Sequence, residues 1–267
     1  MYIVKKLFTM LVFTSILLAG CGGNLFEGLS DSDSDAAKKE EAKIALDKGD
    51  YTEAVSLLED LCGTDTSNLT CNEETQADLA SAYVARSTGL DVLQLIAKAE
   101  EAAANPTDSF ITVSTLLPIA DINACAADPA ASCPVKEDME NAIGILEGLL
   151  ATTDPSDPNL TDVEKNLYLQ MAVASAVNIA VNIGISSGGL DDTAGTPVGT
   201  PSSESDLPAG VLEDIERDVN NVADGIQGSG ISADLTDDIA TMESGLDADG
   251  NGDVTFSELQ TYISVLQ

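Results

Sequence analysis

The chain has no histidine and no tryptophan, and aromatic residues fill only 4% of its 267 positions. Without an imidazole to act as base near neutral pH, Ser-His-Asp and Cys-His catalysis, zincin-type sites and histidine proton shuttles are excluded together. The shortage of aromatics also argues against the stacking platforms that hold sugars or bases. Positive charge is scarce as well. Only 11 Lys and Arg stand against 46 Asp and Glu, for a formal net charge of -35. That balance rules against binding nucleic acid phosphates and repels anionic lipid headgroups. The small partners it invites are cations, although acidity alone also serves solubility or tolerance of salt. Apolar residues still make up 44% of the chain, enough to bury a core.

The N-terminus carries what little basic character there is in a telling place. Lys5 and Lys6 precede an apolar run from Leu7 to Leu18 that is interrupted only by Thr9, Thr14 and Ser15. As a helix this run covers about 18 Å, well short of the roughly 30 Å hydrocarbon core of a bilayer. It therefore has the length of a secretory signal and not of a permanent span. The run ends in Leu18-Ala19-Gly20-Cys21, which resembles the lipobox of bacterial lipoproteins. The resemblance implies that residues 1–20 are removed and that Cys21 becomes the lipid-bearing first residue. Membrane contact is then expected through the lipid and not through a basic face. Gly22 follows the cysteine where aspartate would signal inner-membrane retention in enteric bacteria, so outer-membrane sorting is expected in a host with two membranes. Residues 21–35, rich in Gly, Ser and Asp, read as a flexible tether.

An exported setting changes the meaning of the other four cysteines. Close pairs outside the cytoplasm favour disulfides, and Cys62 with Cys71 and Cys125 with Cys133 would each close a short loop. The sequence leaves the crossed pairings open. No CxxC redox or zinc pattern is present.

From residue 36 the hydrophobic pattern is helical with almost no alternation of period two, so the expected fold class is all-α. Gly49 interrupts a helical stretch and Asp50 can cap the next, after which Ala54, Leu57, Leu58 and Leu61 fall at helical spacing. The Gly49-Asp50-Tyr51 turn with small Ala54 and large Leu58 resembles a tetratricopeptide hairpin. A second, degenerate unit follows with Ala77, Leu79, Ala80 and Tyr83, although its Ser87-Thr88-Gly89-Leu90 turn departs from the family pattern. The resemblance covers roughly residues 38–97, and the Cys62–Cys71 insertion lengthens the spacing beyond the family's period. It implies a compact helical domain with a repeat-like first half.

Further helices are predicted from Pro134 to Ala151 and from Asp162 to Ile185. The second is apolar enough to suggest a membrane span, but Gln170, Asn178, Asn182 and Gly184 interrupt it, so it reads as a buried central helix. The helical domain is thus taken as 36–185, followed by a Gly/Ser/Pro/Thr-rich loop or linker at 186–210 and a helical segment at 211–267. Val211, Leu212, Ile215, Val219, Val222 and Ile226 form one apolar stripe in that last segment, and the stripe must dock somewhere.

Residues 247–258 carry the one motif with chemistry in it. A hard cation such as calcium needs six to eight oxygens, and a twelve-residue loop wraps it with ligands at alternate positions around a sharp glycine turn. Asp247, Asp249 and Asn251 stand at positions one, three and five, and Gly252 stands at the turn. Asp253 would add its carbonyl, Thr255 would ligate directly or through water, and Glu258 would close the site with both oxygens. The segment resembles the EF-hand, with Leu235, Ile239 and Met242 before the loop and Phe256, Leu259, Tyr262, Ile263 and Leu266 after it. One calcium site is expected, with a dissociation constant of about 10^-5 to 10^-3 M. Zinc is disfavoured because no thiolate or imidazole is near. Asp31, Asp33 and Asp35 do not complete a partner loop, since Ala36 replaces the glycine. The loop is therefore expected to pair in a homodimer or to pack on the helix at 211–226.

Together these readings predict a non-catalytic envelope lipoprotein that binds calcium and engages another envelope protein. The alternative is a lipoprotein holding a small hydrophobic ligand or cation near residues 162–185. A carboxylate-based hydrolase is more remote, because no pair of acids stands out among so many.

Overall fold

Gly49 and Asp50 decide where the first two helices meet. Gly49 takes φ 76, a left-handed conformation that ends α1 (Asp35–Lys48). The Asp50 carboxylate then accepts the Glu53 N–H at 3.4 Å and caps α2 (Tyr51–Cys62). α2 buries Ala54, Val55, Leu58 and Cys62 along one stripe. α3 (Glu73–Thr88) starts on Asn72, whose Oδ1 accepts the Thr75 N–H at 3.0 Å, and stops at Gly89 with φ 69.

The structure, a computed structural model, describes residues 34–91, 94–95, 118–128, 132–192, 195–230, 241–242 and 244–267. The expected signal peptide, Cys21 and all but the end of the tether lie outside the described residues. So do Leu235, Ile239 and residues 92, 93, 96 and 97 at the end of the second repeat-like unit. Among the described residues the fold is all-α, and extended pairing is limited to one isolated bridge between Leu190 and Pro197. The remaining helices are α4 (Ile119–Ala127), α5 (Pro134–Leu150), α6 (Asp162–Ser186), α7 (Val211–Ser229) and α8 (Phe256–Leu266).

Both disulfides are local. Cys62 bonds Cys71 across the loop from α2 to α3, with the Cα atoms 4.6 Å apart, and Cys125 bonds Cys133 between α4 and α5 at 5.3 Å. The crossed pairings that the sequence left open are thereby settled against.

α6 is the wall shared by two hydrophobic clusters. It opens with a capping box in which Thr161 and Glu164 exchange hydrogen bonds. Its most apolar window is 83% buried, as expected of a central helix in a packed body. Leu167, Met171, Val177 and Val181 face a cluster containing Leu58, Leu79, Tyr83, Met139 and Leu146. Ile179 and Ile183 face the other cluster, built with Val211, Ile215 and Val222 of α7 and with Leu246, Val254, Leu259 and Ile263. That is where the apolar stripe of residues 211–226 docks. Two glycines set the closeness of the approach. A Cβ at Gly225 would lie 2.6 Å from both Ala172 Cβ and Tyr168 O, and one at Gly228 would lie 2.3 Å from the Tyr168 ring.

The Gly/Ser/Pro/Thr-rich stretch after α6 is stitched to its surroundings. Asn123 of α4 accepts the Leu190 N–H at 2.7 Å and donates to the Leu190 carbonyl at 3.0 Å, while Leu190 itself is 1% exposed. Further along, Gln260 Nε2 of α8 donates to the Pro201 carbonyl at 2.8 Å. A composition that reads as mobile is here held by side-chain amides acting on its backbone.

A half-buried charge pair ties α3 to α5. The Arg86 guanidinium donates to Asp138 at 2.9 and 2.5 Å, and Ser87 Oγ donates to the same carboxylate at 2.7 Å. The guanidinium carbon also lies 5.2 Å from the centroid of the Tyr83 ring. Burial pushes the Tyr83 phenol upward, and its hydroxyl donates to Glu59 at 2.7 Å.

Candidate metal centre

The loop between the helical residues 244–246 and α8 is shaped by two glycines in the left-handed region, Gly250 at φ 68 and Gly252 at φ 90. These conformations let the chain turn inward, so that side chains at alternate positions share one side. Asp247 accepts the Asn251 N–H at 3.1 Å and the Gly252 N–H at 3.0 Å. Asp249 accepts the Asn251 N–H at 3.2 Å, and Asn251 Oδ1 accepts the Asp253 N–H at 2.7 Å. Glu258 reaches back across the loop. Its Oε1 accepts the Ala248 N–H at 2.9 Å, and its Oε2 accepts the Thr255 N–H at 3.0 Å and hydroxyl at 2.7 Å.

The result is a convergence of charge. One carboxylate oxygen from each of Asp247, Asp249 and Glu258 lies within 4.8 Å of the others. Asn251, Asp253 and Thr255 are exposed at intermediate positions of the same loop. Ion pairs among the described residues involve none of the three converging acids. Three like charges so close repel one another unless a cation sits among them. The hydrogen bond from Thr255, more than any other contact, lowers the Glu258 carboxyl below its usual range, which favours its ionised form. An all-oxygen donor set on a turning loop fits a hard divalent cation and offers nothing to a soft one.

The loop is anchored at both ends. Leu246 precedes it, Val254 lies within it, and Leu259 and Ile263 follow on α8, all buried in the cluster with α7. Thr255 caps α8 through a capping box with Glu258, so the same carboxylate serves the helix start and the acidic cluster. Tyr262 lies over Gly245, where a Cβ would meet its ring at 2.7 Å, and burial pushes its phenol up to about 12.

A cleft of about 400 Å³ lies elsewhere, at the turn between α1 and α2. Leu46, Tyr51 and Ala85 give it apolar surface, and Asp47, Asp91 and Gln94 give it polar groups. None of its lining comes from α6, near which a ligand cavity was the alternative expectation.

The residues missed by sequence reasoning are the buried polar ones between α5, α6 and α7, foremost Asp218. The available signal was positional. Val211, Ile215, Asp218 and Val222 share one helical face, so Asp218 is an acid set within an apolar stripe.

Compared with protein-family models, with curated proteins and with solved structures, the chain matches none.

Proposed function

We propose that this is a non-catalytic, lipid-anchored protein of the bacterial cell envelope, stabilised by one calcium ion and presenting a surface to an envelope protein partner. The calcium reading rests on one observation above all: Asp247, Asp249 and Glu258 converge within 4.8 Å, and the ion pairs among the described residues include none of them. Their EF-hand spacing supports calcium over other hard cations. In the bound state Asn251, the Asp253 carbonyl and Thr255 would complete the oxygen shell. The ion would then offset the repulsion among the acids and hold the loop against the cluster of Leu246, Val254 and Leu259.

The lipid anchor rests on the lipobox at Leu18–Cys21, and the absence of histidine supports a non-catalytic role. For the partner, the tetratricopeptide-like turn at Gly49–Tyr51 supports a protein-binding surface, with the adjoining cleft as its natural centre. Terbium luminescence should saturate once per chain and disappear in Asp247→Ala and in Glu258→Gln. Unchanged binding in both variants would sink the calcium assignment. Cys21→Ala should move the protein from the membrane pellet to the soluble fraction. Crosslinking in native envelopes, in calcium and in chelator, should capture a stoichiometric partner; a body that touches nothing under either condition overturns the partner reading.

A further inference from the structure

Four buried polar atoms on α6 have no hydrogen-bond partner among the described residues: Ser175 Oγ, Asn178 Oδ1, Asn182 Nδ2 and Ser186 Oγ. Ser175, Asn178 and Asn182 are 0% exposed, and Ser186 is 6% exposed. Steps of three and four residues place all of them on one face of the helix. A polar atom left dry in a core loses its hydration for nothing, and native interiors hold few of them. Four in file along a central helix therefore call for an occupant.

The neighbours show its chemistry. Asn182 Oδ1 accepts from Lys136 Nζ of α5 at 3.0 Å, and that ammonium also meets Asp214 of α7 at 2.5 Å and Glu140 at 3.3 Å. Asn178 Nδ2 donates to Asp218 Oδ2 of α7 at 2.7 Å. The other Asp218 oxygen receives two bonds from Arg217, at 2.8 and 3.0 Å. These charged partners fix both amide orientations. Turning Asn182 would aim an NH2 at an ammonium, and turning Asn178 would aim a carbonyl oxygen at a carboxylate. Left over are a donor on Asn182 and an acceptor on Asn178, one helical turn apart. A water can accept from the first and donate to the second. Two hydrogen bonds of about 2.8 Å reach about 5.6 Å, close to the roughly 6 Å that four residues rise along a helix. Two polar partners are within the two to four that buried waters find.

We propose that an ordered internal water sits between Asn178 and Asn182, and that the relay it completes, from Lys136 through Asn182, water and Asn178 to Asp218 and Arg217, latches α7 onto α5 and α6. A metal cation is the wrong occupant, because Lys136 and Arg217 already supply positive charge. An apolar guest would leave the orphaned atoms unmet. From the ammonium to the Asp218 carboxylate every donor points the same way, so each bond polarises the next. The latch holds the half of α7 around Asp214 and Asp218. The other half is held differently, by the close contacts of Gly225 and Gly228 with Ala172 and Tyr168.

Water-to-protein cross-relaxation spectra of the full chain, with asparagine side chains labelled, test the water directly. A long-lived water contact at the Asn182 Nδ2 protons is expected, and its loss is expected in Asn178→Leu. Absence of that contact in the unmutated protein overturns the water whatever the variants do. Hydrogen exchange tests the latch. Asn178→Leu should speed exchange of the amides at 214–222 by about tenfold while those of α3 stay within about twofold. Should Asn178→Leu fail to fold, Asp218→Ala takes its place, since it removes the acceptor of both the Asn178 and the Arg217 hydrogen bonds. Unchanged exchange along α7 in Asp218→Ala overturns the latch.

Discussion

Asp218 makes stability depend on pH in a direction opposite to that of a salt-bridged surface carboxylate. Its side chain is 0% exposed, and burial drives its carboxyl up to about 7 against the pull of Arg217 and Asn178, with Asp214 adding to the rise. In the unfolded chain the same group titrates at about 3.9. Between these values the folded protein holds a proton that the unfolded chain has released, so stability is lost as pH rises from about 4 to about 7 and levels off above. Each pH unit of that window is worth about 1.4 kcal/mol, so Asp218 contributes at most about 4 kcal/mol of dependence. Charged groups on the packed helices face the same junction: Lys136, Glu140 and Glu147 on α5, with Asp214 and Arg217 on α7. A difference measurement removes their contribution. Urea unfolding followed by helical circular dichroism at pH 5, 6, 7 and 8, on the unmutated chain and on Asp218→Asn, isolates the one carboxyl. The variant should gain on the parent steadily from pH 5 to about 7 and then level off, by about 2 to 3 kcal/mol in all. A flat difference curve, or a parent that gains on the variant with rising pH, would refute the reasoning.

Three further substitutions probe other parts of the fold. Gly225→Ala sets a methyl 2.6 Å from Ala172 Cβ and the Tyr168 carbonyl, so α7 must move off α6 at a cost of about 1 to 3 kcal/mol, read from the urea midpoint at constant slope. Arg86→Met strands the Asp138 carboxylate, which is 5% exposed. The expected loss is about 3 kcal/mol, at the low end for a broken buried pair because Arg86 itself reaches solvent; a change below about 1 kcal/mol speaks against the pair. Thr255→Ala removes the cap of α8 and should cost about 1 kcal/mol in thermal unfolding without calcium. On the calcium reading it should also weaken terbium binding, though less than Glu258→Gln does, because Thr255 supplies one oxygen and Glu258 two.

How much of this was legible in the sequence depended on the reach of each interaction. Most of the helices were readable because their signals are local: Gly49 and Asp50 at one turn, Pro134 at the start of α5, Asp162 at the start of α6; α4 was not singled out. The acidic loop was readable for the same reason, since Asp247, Asp249 and Glu258 converge within a segment of twelve residues whose glycines dictate the turn. The disulfide pairing was legible in part: cysteines eight and nine residues apart favour the two local bonds that form, although the crossed pairings stayed open until the helices placed the sulfurs. The tie at 187–203 was not legible, for there a composition of Gly, Ser, Pro and Thr conceals Leu190 and the distant Asn123 that clamps it, 67 residues away. The polar junction lies furthest out of reach. Asn178 and Asp218 are 40 residues apart, and Lys136 and Asp214 are 78 apart. In one dimension Asn178 and Asn182 served only to argue that α6 does not span a membrane, and Asp218 was one acid among many. Packed together, the interruptions on α6 and the acid in the apolar stripe of α7 account for each other. An asparagine in a buried face is tolerated when a charged partner on the next helix meets it, and a buried aspartate when amides and a guanidinium share its charge.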